Sequence, residues 1–209
     1  FIMNYLNYSQ KGNIRFAGIS FSEKELKDLL KAWLVLSFAF ANILSGGFGG
    51  LMAAFIISSL TVGIGFIIHE MGHKVLAQKY GAWAEFRAWD QMLIMAVVLS
   101  FFGFIFAAPG AVMIAGRTIG KSRNGKISAA GPIMNFILAF LFLPLIIYFP
   151  NGLINTIGMY GLMINTWLGL FNLIPFAMFD GKKILAWNKS VYVFLVIVAI
   201  ALMSLQSII

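Results

Sequence analysis

Two histidines and a glutamate in the segment His69-Glu70-Met71-Gly72-His73 have the types and the spacing to bind and use a metal ion. On an α-helix, residues four positions apart lie on one face, about 6 Å apart along the axis, so both imidazoles can reach a single ion. The pattern H-E-x-x-H is typical of zinc sites in which the glutamate is the general base. Glu70 lies about 100° around the helix from His69, which places it beside the metal rather than on it.

The setting of this motif favours a metal site over the alternative of two hydrogen-bonded core histidines. His69 and His73 are the only histidines of the chain, and the preceding residues 32–68 contain no charged side chain. A charged or strongly polar side chain at membrane depth costs at least about 2.5 kcal/mol on insertion scales. A bound divalent cation offsets the charge of Glu70 and occupies both imidazoles, so it removes much of this cost.

A third protein ligand has to be a carboxylate, because the chain has no cysteine and no further histidine. Three acidic residues precede the first apolar run, where a solvated helix face is the default expectation. Two more lie near Arg87, where a surface ion pair is expected. In chain order these five residues are Glu23, Glu25, Asp28, Glu85 and Asp90.

Asp180 is the remaining carboxylate and the strongest candidate for the third ligand. It follows residues 127–179, which contain no charged side chain, and is therefore expected at or near membrane depth. The alternative is an interfacial carboxylate paired with Lys182 or Lys183. If Asp180 is not a ligand, Glu85 is the next carboxylate to consider, in a site outside the membrane.

The composition indicates that membrane helices position these residues. The chain has 209 residues, of which 61% are hydrophobic and 11% charged, whereas soluble domains have about 25% charged residues. The net charge of +8 fits the Lys/Arg excess of cytoplasmic loops, so we expect no nucleic-acid partner. The fold class expected is an all-α polytopic membrane protein with about five to six transmembrane helices. The uncharged runs are 32–68, 91–116, 127–179 and 190–209.

Local signals divide the chain into these helices. Ser22 and Glu25 fit a capping box, so a helix is expected to start just after Ser22 and to continue into a first span over about 32–45. The glycine-rich residues 45–50 predict a turn, and the next segment, about 51–79, carries the histidines. Further spans are predicted over about 127–149, 153–179 and 190–209.

Residues 91–116 decide the topology. Pro109 and Gly110 interrupt the apolar run and favour a segment that dips into the membrane as an extended stretch or hairpin and then returns. With a full crossing, His73 and Asp180 would face opposite sides and could not share a metal. With a returning segment they reach the same side, and all 15 Lys/Arg lie there too, as the positive-inside rule favours.

Three motifs, in this order, make the chain similar to the site-2 protease family of intramembrane zinc metalloproteases, and in particular to the transmembrane domain of an archaeal member. The first is His69-Glu70-x-x-His73. The second, Gly131-Pro132-Ile133-Met134-Asn135-Phe136, is similar to the family pattern G-P-x-x-N-F. The third, which runs from Asn172 through Pro175 to Asp180-Gly181, is similar to N-x-x-P-x-x-x-x-D-G, with Phe179 where the family usually has Leu.

The resemblance implies a ligand set and a base. His69, His73 and Asp180 are expected to hold one Zn²⁺ per chain, and Glu70 is expected to act as the catalytic base. The reaction implied is hydrolysis of peptide bonds in the transmembrane helices of protein substrates, known as regulated intramembrane proteolysis.

The resemblance also implies how substrate is held. Asn135 and Asn172 are expected near the site, where they hold the substrate backbone or the oxyanion; for both, helix-packing hydrogen bonds are an equal alternative. Residues 109–115 are a candidate edge strand that pairs with unwound substrate.

We expect a single transmembrane protease domain over residues 1–209, in which 1–31 form an N-terminal cytoplasmic segment and 51–183 the catalytic core. It is expected to cross the lipid bilayer of the cell membrane several times, with the active site towards the cytoplasm. The alternative is a membrane metal-ion transporter, which also places histidines and carboxylates at membrane depth. A transporter needs several weak sites along a path, whereas this chain has one dense cluster.

Overall fold

The structure is a computed structural model that describes residues 14–45, 50–105, 108–116 and 119–208. Its strands form two antiparallel pairs, β1 (Ile14–Phe16) with β2 (Ile19–Phe21) and β3 (Trp83–Ala88) with β4 (Gly110–Ala115). A π-helical segment, Ser59–Gly63, joins the helix Leu51–Ser58 to the helix Ile64–Lys79. The helices are α1 (Glu23–Ser45), α2 (Leu51–Ser58), α3 (Ile64–Lys79), α4 (Asp90–Ser100), α5 (Lys121–Tyr148), α6 (Gly152–Asn172), α7 (Asp180–Trp187) and α8 (Lys189–Gln206).

Four helical units of the described residues are long and apolar enough to cross a membrane: α1, the continuous unit Leu51–Lys79, α5 and α8. Large apolar side chains cover the outside of the molecule, as a lipid-facing surface requires; Phe140 and Phe194 are each more than half exposed. α6 has 21 residues and a length of about 32 Å, but it buries its polar residues Asn165 and Thr166. The protein is an all-α polytopic membrane protein, as predicted, and two small sheets accompany its helices.

Three apolar clusters fix the helices that carry the histidines and Asp180. α5 is central and packs against α3, α6 and α7. Phe66 of α3 lies in a cluster with α1, β3 and α4, and its ring meets that of Phe86 edge-on at 5.5 Å. Ala77, near the end of α3, lies in another cluster with β3 and α5. α3 is therefore held on both sides of the histidines, while a third cluster joins α5 to α8.

Residues 91–116 turn back instead of crossing. α4 has 11 residues, about 16 Å, which is about half of a hydrocarbon core of roughly 30 Å. β4 then pairs antiparallel with β3, so that Ala88 lies opposite Gly110. The chain leaves β3 and returns beside it, which confirms the predicted extended, returning segment.

Several predicted boundaries change. The span predicted over 153–179 ends at Asn172, because Pro175 has no backbone N–H and disfavours helix in the residue before it. α5 begins at Lys121, earlier than predicted, and no sequence pattern indicates β3 or the β1–β2 hairpin. Residues 46–49 of the predicted glycine-rich turn, and residues 1–13 of the N-terminal segment, lie outside the described residues.

Candidate metal centre

Two helices bring His69, His73 and Asp180 together. The histidines lie one turn apart on α3, and Asp180 is the first residue of α7. The two histidine Nε2 atoms are 3.0 Å apart. The Oδ2 atom of Asp180 lies 3.4 Å from the Nε2 of His69 and 3.0 Å from that of His73. All three residues are buried, with no more than 8% exposure.

The three donor atoms fit a tetrahedral zinc ion. With Zn–N and Zn–O bonds of about 2.1 Å, tetrahedral ligand atoms lie about 3.4 Å from one another, close to the separations observed. His69 Nδ1 donates to the Oδ1 of Asn135 at 2.6 Å, and His73 Nδ1 donates to the backbone oxygen of Ile127 at 2.8 Å. Both Nε2 atoms therefore turn lone pairs towards the Asp180 carboxylate, an arrangement that a cation stabilises.

Asp180 faces the two imidazoles from the start of α7. It lies in the first turn of α7, where the helix dipole favours a carboxylate. Its Oδ2 atom faces the Nε2 atoms of both imidazoles, so a metal ion held by the histidines would offset the charge of the carboxylate. In the described chain the Asp180 carboxylate contacts these histidines rather than Lys182 or Lys183.

Two glycines allow the helices to approach so closely. A Cβ atom on Gly131 of α5 would lie 2.5 Å from the ring of His73 and 2.6 Å from that of His69. A Cβ atom on Gly181 would lie 2.0 Å from the backbone oxygen of Leu173. Atoms in contact lie about 3.5–4.0 Å apart, so each position excludes a side chain. The close contacts at the site therefore explain why glycine, and no larger residue, occupies positions 131 and 181 in the G-P and D-G dipeptides.

The amide of Asn135 holds His69 through a chain of buried hydrogen bonds. Its Oδ1 accepts from His69 Nδ1, and its Nδ2 donates to the backbone oxygen of Gly65 and to Asn165 Oδ1, both at 3.1 Å. Asn165 donates in turn to the backbone oxygen of Gly161 at 2.9 Å. Both asparagines are fully buried. The side chain of Asn135 is therefore oriented towards the imidazole by three partners.

Two of the three asparagines of α6, Asn172 and Asn165, bear on the sequence-based view of the site. Asn172 donates from Nδ2 to the backbone oxygen of Leu168 at 2.9 Å, a bond within its own helix. Asn165 is missed by sequence reasoning altogether. The available signal is its position in the uncharged run 127–179, where a polar side chain requires a partner.

The side chain of Glu70 extends from α3 towards β4. It is buried, and its Oε2 accepts a hydrogen bond from the backbone N–H of Val112 at 3.1 Å. Within the described residues β4 pairs with β3 alone, so the other edge of β4 faces Glu70. The predicted base therefore borders the predicted edge strand.

Two of the three acidic residues at the start of α1, Glu25 and Asp28, are buried, which corrects the sequence prediction, whereas Glu23 is exposed as predicted. Glu25 is fully buried and forms an ion pair with Lys74 of α3. Asp28 is 8% exposed, and its Oδ2 accepts from the backbone N–H of Ala88 at 3.4 Å. The prediction fails because the first turns of α1 pack on α3 and β3.

The remaining carboxylates form ion pairs, as predicted. Asp90 pairs with Lys31 on the surface. Glu85 pairs with Arg87 but is buried rather than exposed, since β3 packs its inner residues against the helices. In the described part of the chain, a single group of three His, Asp or Glu residues has ligand atoms within 4.8 Å of one another, and Glu85 is not in it.

The chain is similar to two proteins of Methanocaldococcus jannaschii. The first, named "Putative zinc metalloprotease MJ0611", is 44% identical over 174 residues, which cover 82% of this chain and 88% of that protein. The second, named "Zinc metalloprotease MJ0392", is 29% identical over 123 residues, which cover 58% of this chain and 31% of that protein. No family model and no solved structure matches the chain.

Proposed function

The chain belongs to the zinc metalloprotease family of its Methanocaldococcus jannaschii relative, and we propose that it is an intramembrane peptidase of the site-2 protease type. In this proposal His69, His73 and Asp180 hold one Zn²⁺ per chain, Glu70 is the catalytic base, and the substrates are transmembrane helices of other proteins. The observation that carries the proposal is the convergence of three buried ligand atoms within 4.8 Å of one another.

The position of the site supports cleavage within the membrane. His69 and His73 belong to the unit Leu51–Lys79, and α5 packs against both imidazoles through Gly131. Both helical units are long and apolar enough to span a bilayer. A metal centre between two such helices is suited to peptide bonds that lie at membrane depth.

The chemistry follows from the donor set and from Glu70. When bound, zinc supplies a Lewis acid that polarises the scissile carbonyl and lowers the pKa of a water molecule. The Glu70 carboxylate accepts a proton from the attacking water and later donates it to the leaving amine, while the C–N bond breaks. His69 and His73 keep their Nε2 lone pairs available because their Nδ1 atoms donate to oxygens of Asn135 and Ile127.

β4 offers a way to bind substrate in the extended form that hydrolysis requires. The peptide bonds of a helix are enclosed by i→i−4 hydrogen bonds, so a substrate helix has to unwind first. The N–H of Val112 faces Glu70 instead of β3, and because strand groups alternate, those of Gly110 and Ile114 face the same way. An unwound segment that pairs with this edge lies beside the base.

The two predicted asparagines take different places in the proposal. Asn135 positions His69 instead of binding substrate, because its amide bonds to His69, Gly65 and Asn165. A role of Asn172 in binding substrate or the oxyanion stays a prediction.

The basic residues support an orientation with the site towards the cytoplasm. Arg123 lies over the ring of Tyr80 at the end of α3, and Lys126 lies over the ring of Trp187 at the end of α7. The helix ends near the site thus carry the residues that the positive-inside rule places in the cytoplasm. We propose a multi-pass protein of the cell membrane, with one domain over residues 1–209, a core within 51–183 and a cytoplasmic segment 1–31.

Metal transport is not favoured. Both relatives are named as metalloproteases. The described residues offer one compact group of three ligands, whereas a permeation path needs a series of weaker sites.

Cleavage of a transmembrane peptide by the detergent-solubilised protein, with bound zinc measured, tests the proposal. The Glu70→Gln variant is expected to keep its zinc, because all three ligands remain. It is expected to lose at least about 10²-fold in rate, the lower end of what a general base contributes. Equal rates for variant and parent would exclude Glu70 as the base, and a zinc-loaded parent that cleaves no transmembrane peptide would reject the proposed activity.

A further inference from the structure

Lys74 and Glu25 form an ion pair in the interior, one residue from His73. The Lys74 Nζ lies 2.6 Å and 2.5 Å from the two carboxylate oxygens of Glu25, and both side chains are fully buried. Desolvation of two charges is expensive, and replacing a buried pair by apolar residues of similar volume is often neutral or stabilising. Stability alone therefore gives no reason for charges at this position.

The pair lies along the outer edge of β3. The backbone N–H of Phe86 donates to Glu25 Oε1 at 2.9 Å, and Lys74 Nζ donates to the backbone oxygen of Ala84 at 3.1 Å. Gln78 also donates to Ala84, at 3.2 Å. Ala84 and Phe86 are two residues apart, so these groups lie on one edge, the edge opposite β4. Side chains of α1 and α3 thus occupy the places where a third strand would bond.

The outer edge of β4 is different. In the described chain it has no paired strand, its residues are half-buried or exposed, and the Val112 N–H points to Glu70. The two-stranded sheet therefore has one edge occupied by side chains and one edge that borders the predicted base. An open strand edge is a template for pairing with an extended peptide.

From this asymmetry we infer that Glu25 and Lys74 are positioning residues for substrate. They occupy the edge of β3 so that an extended peptide adds to β4 alone, and they anchor the sheet to α3 so that β4 stays beside Glu70. The inference rests on the proposed peptidase function and adds the device that sets where the substrate strand binds.

Two uncharged double variants test the inference, because they differ in hydrogen bonding. Glu25→Gln/Lys74→Gln keeps an acceptor for Phe86 and a donor for Ala84. Glu25→Leu/Lys74→Met fills a similar volume but keeps neither. The control is Lys31→Gln/Asp90→Asn, which removes an exposed ion pair. The measurements are KM and kcat for a transmembrane peptide, bound zinc, and hydrogen exchange of residues 83–88.

We expect the Glu25→Leu/Lys74→Met protein to keep its zinc and to show faster hydrogen exchange at residues 83–88. Its KM should rise about tenfold, as expected for the loss of one or two hydrogen bonds, while its kcat should change little. Glu25→Gln/Lys74→Gln is expected to restore KM and exchange to near the values of the parent and the control. If the apolar variant does not fold, Gln78→Met removes one donor to Ala84 at a half-buried position and is expected to act in the same direction.

The inference is overturned if a folded, zinc-loaded Glu25→Leu/Lys74→Met protein has parental KM and exchange, or if the amide variant is equally impaired. For Gln78→Met, unchanged exchange at residues 83–88 overturns it. Failure of the proposed function has a different signature. In that case no variant or parent cleaves the peptide, while hydrogen exchange still reports whether the pair holds the edge of β3.

Discussion

Replacing Gly131 by alanine is expected to damage the metal centre without removing any ligand. Its added methyl carbon would lie 2.5 Å from ring atoms of His73 and 2.6 Å from the ring of His69. Since carbon contacts settle at about 3.5 Å or more, the rings or α5 have to retreat by about 1 Å. Zinc bonds tolerate about 0.2 Å, so the donor atoms no longer fit one ion.

The expected loss is large enough to measure. A misplacement of about 1 Å costs on the order of 10²-fold in rate. We therefore expect zinc affinity to fall at least tenfold, the lower end of about 10–100-fold for changes next to the ligands, and cleavage to fall by about 10²-fold. Unfolding of α5 does not explain such a loss, because alanine favours a helix by about 1 kcal/mol over glycine.

Competition with a chromogenic chelator gives the zinc affinity, and cleavage of a transmembrane peptide gives the rate. Gly120→Ala is the matched control, because a Cβ atom there meets no atom of the described residues within 4 Å and its φ of −80° suits alanine. Parental zinc affinity and rate in Gly131→Ala would show that α5 does not press on the imidazoles, and the geometry of the site would be refuted.

Three further results are expected. Asn135→Ala removes the acceptor of His69 Nδ1 and should weaken zinc binding about 10–100-fold, whereas the control Asn155→Ala on α6 should leave zinc affinity unchanged. Equal zinc affinities of the two variants would contradict the role of Asn135 in positioning His69. Because the chain has no cysteine, cysteines at Asn151 and Ser122 can be labelled with an impermeant reagent, and we expect Asn151 to react from outside and Ser122 only from the cytoplasmic side. Zinc at 100 times its Kd should stabilise the parent by about 2.7 kcal/mol but not His73→Ala, and an equal stabilisation of both would place the ion elsewhere.

Properties that depend on local spacing or on long composition runs are predictable from this sequence. The H-E-x-x-H spacing places two imidazoles on one helix face whatever surrounds them. Pro109 and Gly110 interrupt an otherwise apolar run, and the segment does turn back there. Asp180 stands out because it ends an uncharged run, and the structure places it beside both histidines.

Features that depend on distant partners are not predictable in the same way. Glu25 has the sequence context of a solvated first turn, yet its partner Lys74 is 49 residues away and on another helix. Asn165 reaches Asn135 across 30 residues, so nothing in its own segment indicates the contact. β3 is a short strand whose hydrogen-bonding partners come from β4, α1 and α3.

Bound zinc per protein in the Asp180→Asn variant tests the central claim most directly. After dialysis against a weak chelator, we expect the parent and Glu85→Gln to retain about one zinc per chain. Asp180→Asn should bind zinc more weakly than the parent by well over the roughly 10–100-fold seen for changes outside the ligands, and it should not cleave. A purified, folded Asp180→Asn protein that keeps its full zinc, or a Glu85→Gln protein that loses it, would contradict the assignment of His69, His73 and Asp180 as the metal centre.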